Sequence, residues 1–324
     1  MQRREFLRVT VAGSAICAAP LVSAQPAGNR QLVLLVGNAS GSPPDVRARE
    51  LGQALAPVLG QPVIIINKPG ASGMLAAREA ARAAPDGQTV FLISVNQLIN
   101  EAIDPPATRL PVLDNFELVT SLSGAPLILF RNPGVPVKGA RDLVEYARQN
   151  PGKLTYATGG TGSIEQLYGA AMFGSLGIDL REVPYPAATK GILDVIGGTV
   201  NLGFAYPVTI GQHLSTERVK AIGIGSTERL SAVPDVPTFA EQGVSAPTLN
   251  AWQGLAVSKG TPPAVIGKLY EAVHTVLTTP KFRAKWVADG AIIGGDRPEA
   301  FTETVRAQRE QIASVVKKYG IARQ

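Results

Sequence analysis

Leu32-Val-Leu-Leu-Val36, followed by Gly37-Asn-Ala-Ser-Gly-Ser42, is the stretch that decides the fold. Five apolar residues without a polar break suit a strand covered on both faces, as in a parallel sheet. The small polar run after them suits a turn from strand to helix, and Val46 to Leu59 then has helical spacing. The same alternation continues outward. Val63-Ile66 and Val90-Ile93 are apolar runs, and the helix-compatible Met74-Ala84 lies between them. Strand, helix, strand, helix, strand is a doubly wound α/β unit.

A second round follows. Ala125-Phe130, Leu154-Ala157, Arg181-Pro184, Val200-Phe204 and Val219-Ile224 read as strands. Between them Ile164, Leu167, Tyr168, Ala171 and Met172 are spaced as one helix face. Ile192, Leu193 and Ile196 form another, stopped by Gly197-Gly198. Each round is expected to build one lobe, since 324 residues exceed what one core usually supports. Trp252-Ser258 reads as a strand. Thr261-Pro262-Pro263 then opens a helix with Val265, Leu269, Val273 and Val276 on one face. A last helix carries Phe301, Val305, Ile312, Val316 and Tyr319 on one stripe. With no further strands expected, these helices should fold back over the first lobe. The chain crosses between lobes twice, through Phe116-Phe130 and through Ile224-Ala256, which makes a hinge suited to clamshell closure. The expected division is 25–122 plus 252–324 for lobe 1 and 123–251 for lobe 2.

Residues 1–24 read as an export signal. Arg3, Arg4 and Arg8 supply a charged start, Val9 to Val22 is apolar, and Val22-Ser23-Ala24 offers a cut before Gln25. Arg3-Arg4-Glu5-Phe6-Leu7 resembles a twin-arginine signal, so a periplasmic location is expected. The single cysteine, Cys17, lies in this segment, which leaves no disulfide or thiolate metal site in the exported chain. Net charge is +6, or +4 once the three arginines and Glu5 are removed. The basic residues are scattered, with no run alternating with aromatics, so nucleic acid is not an expected partner.

Chemistry is hard to place. The two histidines, His213 in a polar connection and His274 beside an apolar helix stripe, both read as surface residues. No Gly-x-Ser-x-Gly elbow or phosphate-binding loop occurs. No catalytic residue, metal or cofactor is expected, and the chain is read as a binding protein, not an enzyme. Small polar and glycine residues instead gather after the expected strands, where open α/β sheets bind ligands. They are Asn38-Ala39-Ser40-Gly41-Ser42, Gly70-Ala71-Ser72-Gly73, Ser94 with Asn96, Thr158-Gly159-Gly160-Thr161-Gly162-Ser163, and Ala205-Tyr206. In the fourth, Ser163 can cap the following helix, and main-chain amides at that positive helix end suit a carboxylate. A plain glycine-rich turn is the alternative reading of that loop.

The phrases Leu59-Gly-Gln-Pro-Val63, Asn67-Lys-Pro-Gly-Ala-Ser-Gly73, Ala83-Ala-Pro-Asp-Gly87, Asn150-Pro-Gly-Lys-Leu154, Val183-Pro-Tyr185, Val233-Pro-Asp-Val-Pro-Thr238 and Gly260-Thr-Pro-Pro263 occur in order along the chain. In these the chain resembles the Bug family, the periplasmic solute-binding components of tripartite tricarboxylate transporters. The resemblance implies an α/β type II periplasmic-binding-protein fold and a small carboxylate held by backbone amides and water. It also implies a monomer that works with the transporter's membrane subunits. It carries the ligand site to 38–42, 70–73, 94–96 and 158–163, with Tyr185, Ala205 and Tyr206 nearby. Two departures stand out. Pro43 and Pro44 replace the glycines usual in the first loop and remove two amide donors. Ala205 stands where many relatives have an acidic residue, so a non-amino di- or aromatic acid is the expected solute. Two alternatives remain at this point: a receptor that signals to a membrane sensor, and a divergent enzyme using the 158–163 loop as an anion hole.

Overall fold

The computed structural model describes residues 31–186, 188–247 and 251–322. The expected export segment, with Cys17 and the cut before Gln25, lies outside the described residues.

The three apolar runs become β1 (Leu32–Val36), β2 (Val63–Asn67) and β3 (Thr89–Ser94), with β1 parallel to both neighbours. β4 (Phe116–Ala125) runs in the same sheet and then leads into β5 (Ile128–Arg131) of a second sheet. That sheet contains β5, β6 (Thr155–Thr158), β7 (Arg181–Pro184), β8 (Leu202–Ala205) and β9 (Lys220–Ile224), in the order β7-β6-β8-β5-β9. The chain returns to the first sheet as β10 (Ala251–Ser258), and β11 (Ile292–Ile293) adds an edge, giving β11-β4-β10-β3-β1-β2. These are two α/β lobes.

Both sheets are mixed. β10 runs antiparallel to β3 and β4, and β5 antiparallel to β8 and β9. An outgoing strand and its return lie side by side without a crossover helix, which the antiparallel ladder allows.

The first lobe's faces are covered by α1 (Pro43–Leu59), α2 (Met74–Ala81) and α3 (Val95–Ile103), followed by the single turn α4 (Val112–Asn115). α1 starts on its two prolines, where missing N–H groups would be unpaired anyway, and stops at Gly60 with φ 65°. The second lobe carries α5 (Ala140–Gln149), α6 (Ile164–Leu176), α7 (Ala188–Ile196) and α8 (Pro207–Ser215). Its core holds an aromatic group in which Tyr156 meets Phe173 edge-on at 5.0 Å and Tyr168 meets Phe204 at 5.4 Å. Such pairs add about 0.5–1.5 kcal/mol each beyond area burial.

Three sequence expectations change. His213 lies in the last turn of α8, not in a polar connection, and both histidines are half-buried. Strand β11 occurs where only helices were expected, because Ile292 and Ile293 complete an open edge beside β4. The C-terminal helices α9 (Pro263–Thr278), α10 (Pro280–Ala288) and α11 (Pro298–Tyr319) do cover the first lobe, but α11 also reaches the second. Tyr319 lies so close to Gly174 of α6 that a Cβ there would stand 2.6 Å from the ring. The phenylalanine and valine stripe of α11 thus shares one apolar core with residues of both sheets.

Candidate functional site

The site begins where β1 and β2 end. A Cβ on Gly37 would stand 2.6 Å from the Gly73 Cα, so the two turns touch backbone to backbone. Ala71 and Ser72 form a tight 3-10 turn at φ 46° and 53°, left-handed values that side chains adopt at a cost. One carboxylate ties these turns together. Asp45, 1% exposed, accepts from the Gly41 N–H at 2.8 Å, from Arg49 Nε at 3.0 Å and from Asn67 Nδ2 at 2.8 Å. Asn67 Nδ2 also donates to the Asn38 carbonyl at 3.1 Å. Burial pushes the Asp45 carboxyl up, yet the hydrogen bonds from Arg49, Gly41 and Asn67 outweigh it and hold it below the usual range.

α3 starts with its own cap. The Ser94 N–H donates to Gln97 Oε1 at 2.8 Å, and Gln97 Nε2 reaches the Ser72 carbonyl at 3.3 Å. Asn96 and Asn100, one turn apart on α3, then face the second lobe. Asn96 Oδ1 accepts from the Ile164 N–H at 3.1 Å, and Asn100 Nδ2 donates to the Gly162 carbonyl at 3.1 Å. Ser72 Oγ donates to the Thr161 carbonyl at 2.8 Å. The lobes therefore meet directly at the 158–163 loop.

That loop keeps its amides for itself. The Gly160 N–H donates to Thr158 Oγ1 at 3.2 Å, Gly162 to Gln166 Oε1 at 2.9 Å, and Gln166 to the capping Ser163 Oγ at 3.3 Å. Thr158 Oγ1 in turn donates to Glu182 Oε1 at 2.7 Å. Glu165, 7% exposed, accepts from its own N–H, from Ser163 and from the Gly159 N–H; burial nevertheless pushes its carboxyl above the usual range. Tyr206, beside it, is raised by burial and by the Glu165 charge. The positive end of α6 is occupied by a side chain of the protein.

Between the lobes lies a cavity of about 260 Å³. Of the residues singled out from sequence, Asn38, Ala39, Ser42, Gly70, Ser72, Gly73, Ser94 and Asn96 line it from one side. Gly159, Ser163, Ala205 and Tyr206 line it from the other. Ser40, Gly41 and Ala71 belong to the same turns but do not line it. Thr158 is buried beneath, Thr161 and Gly162 turn toward Ser72 and Asn100, and Tyr185 donates its hydroxyl to Asp194 at 2.7 Å. Burial and that carboxylate push the Tyr185 phenol up to about 12.

Sequence reading missed Arg47, Glu165, Thr209, Trp252 and Asp289, all of which line the cavity. Four sit at ordinary helix or strand positions and Asp289 at a helix end, so only the packing singles them out. Among the described residues, no group of three or more His, Cys, Asp or Glu is placed to hold a metal. No described helix is long and apolar enough to cross a membrane.

Comparison with known proteins adds four findings. A family model described as tripartite tricarboxylate transporter family receptor matches residues 47–299. BugT of Bordetella pertussis is 27% identical over 304 residues, covering 94% of this chain and 93% of its own. Among solved structures, a protein of R. palustris with adipate is 26% identical with a TM-score of 0.85, covering 91% of this chain and 99% of its own. MatC from Rhodopseudomonas palustris with bound malate is 29% identical with a TM-score of 0.81, covering 88% and 99%.

Proposed function

Because this chain belongs to the tripartite tricarboxylate transporter receptor family, whose members are periplasmic solute-binding receptors, we propose that it captures a small carboxylate in the cavity between its lobes and presents it to membrane subunits of such a transporter. The observation that carries this reading is the cavity itself. It is lined from both lobes by short polar side chains and glycine backbone, and bridged by hydrogen bonds that Ser72 and Asn100 donate and Asn96 accepts. Two structural neighbours, solved with adipate and with malate, share this fold over almost their whole length. The lobes are taken to divide at 25–122 plus 252–324 and 123–251, and residues 1–24 to direct export to the periplasm. Binding and release are the whole activity proposed; no reaction is assigned.

Ala205 offers no charge to an ammonium group, which supports an acid without one at that position. A thermal-shift screen tests the reading. A ligand at a hundred times its Kd adds about 2.7 kcal/mol, which raises Tm by roughly 3–6 °C in a chain of this size. Adipate, malate or an aromatic acid is expected to give such a rise. A screen in which amines or sugars shift Tm and no carboxylate does would overturn it.

A further inference from the structure

We propose that Arg47 is the anchor for the solute's carboxylate, an assignment that rests on the carboxylate reading of the cleft. Arg47 lies in the first turns of α1 and is 9% exposed. Its guanidinium stacks on Trp286, with Cζ 4.6 Å from the ring centroid, and Nη2 stands 3.6 Å from Asp289 Oδ2. Two neighbours from α10 and the turn after it therefore fix its plane. Nη1 is buried without a hydrogen-bond partner, and the residue lines the cavity. A charged donor left unpaired in a buried place is costly, and a carboxylate is the ligand group whose two oxygens match the guanidinium fork.

A second orphan lies in the same wall. Thr209 Oγ1, in the first turn of α8, is buried without a partner and lines the cavity. Gly290, next to Asp289, lies against Pro207, where an added Cβ would stand 2.7 Å from the proline Cβ. The Arg47–Asp289 pair and the start of α8 thus come together across the lobes. α8 has no side-chain cap of its own. The contrast with α6 is chemical. There a carboxyl group of the protein, Glu165, already holds the Gly159 amide, so that amide is not free for the solute. The acid end of the solute is directed to Arg47 and Thr209.

The test is calorimetric titration with adipate, malate and benzoate, and with adipamide as the uncharged counterpart of adipate. The wild type is expected to bind at least one acid and to prefer adipate over adipamide. Arg47→Gln should weaken the bound acid about 10- to 100-fold and abolish the preference for acid over amide. Arg47→Met keeps the packing on Trp286 if the glutamine variant fails to fold, and should lose the same preference. Thr209→Val should cost about 3- to 10-fold. Affinity and preference unchanged in both Arg47 variants would overturn the anchor while leaving the carboxylate reading intact. A wild type that binds none of the acids, or binds adipamide as tightly as adipate, would overturn both.

Discussion

Gly162→Ala is expected to lower affinity for the bound carboxylate by at least about 30-fold while leaving each lobe folded. Two costs act at one position. Gly162 has φ +79°, and a side chain held in left-handed backbone costs roughly 1–2 kcal/mol. An added Cβ would also stand 2.6 Å from both Asn100 Nδ2 and Oδ1, on a residue of the opposite lobe that is fully buried. Relief requires the Asn100 amide to swing away or the lobes to part, and either breaks the Asn100 bridge between the lobes. Removing the clash by the double change Gly162→Ala with Asn100→Ala should recover part of the loss. Calorimetry with an unchanged far-UV circular dichroism spectrum checks both points. Wild-type affinity in the single variant would show that this contact does not govern closure.

Asp45→Asn is expected to be the most destabilising polar change in the site, by about 2–4 kcal/mol, or roughly 3–6 °C in Tm. The amide retains one acceptor oxygen but turns an NH2 group toward the donors from Arg49, Asn67 or Gly41. The pH dependence has a definite sign. The folded-state pKa of Asp45 is depressed, so its stabilisation is complete above the unfolded value near 3.8 and is lost as pH falls through the folded value. The Tm gap between wild type and variant should be constant from about pH 5 to 7 and narrow below about pH 4. A gap that instead widened on acidification would mean that another carboxylate holds the loop.

Much of this frame was legible before any coordinates. β1, β2 and β3 are apolar runs that parallel strands require, and the turns after the first two carry the glycines that a backbone-to-backbone approach such as Gly37 to Gly73 demands. α3 escaped notice although Ser94-Val-Asn-Gln97 is a capping-box signature. Its place directly after a strand, with no intervening turn residues, hid the helix start. β11 is two residues long and exists only because β4 offers an open edge, information that lies far away in the chain. The same holds for the chemistry. The 158–163 loop is a strand-to-helix turn as its glycines suggest, but its amides are taken by Thr158, Gln166 and Glu165, partners that spacing does not reveal. Arg47 reads as one more charge on an amphipathic helix. Only Trp286 and Asp289, more than two hundred residues on, turn it inward.

The location of the solute is the point on which the whole account turns, and a tryptophan is placed to report it. Trp252 lines the cavity and is held against Phe301 at 5.2 Å; the other tryptophan of the chain is Trp286, beneath Arg47. Titration with adipate or malate, followed by calorimetry and tryptophan emission together, is predicted to give one-to-one binding with a matching saturable emission change. That change should diminish in Trp252→Phe while the heat remains. Binding heat without any change in emission would place the acid outside the cleft and contradict the account.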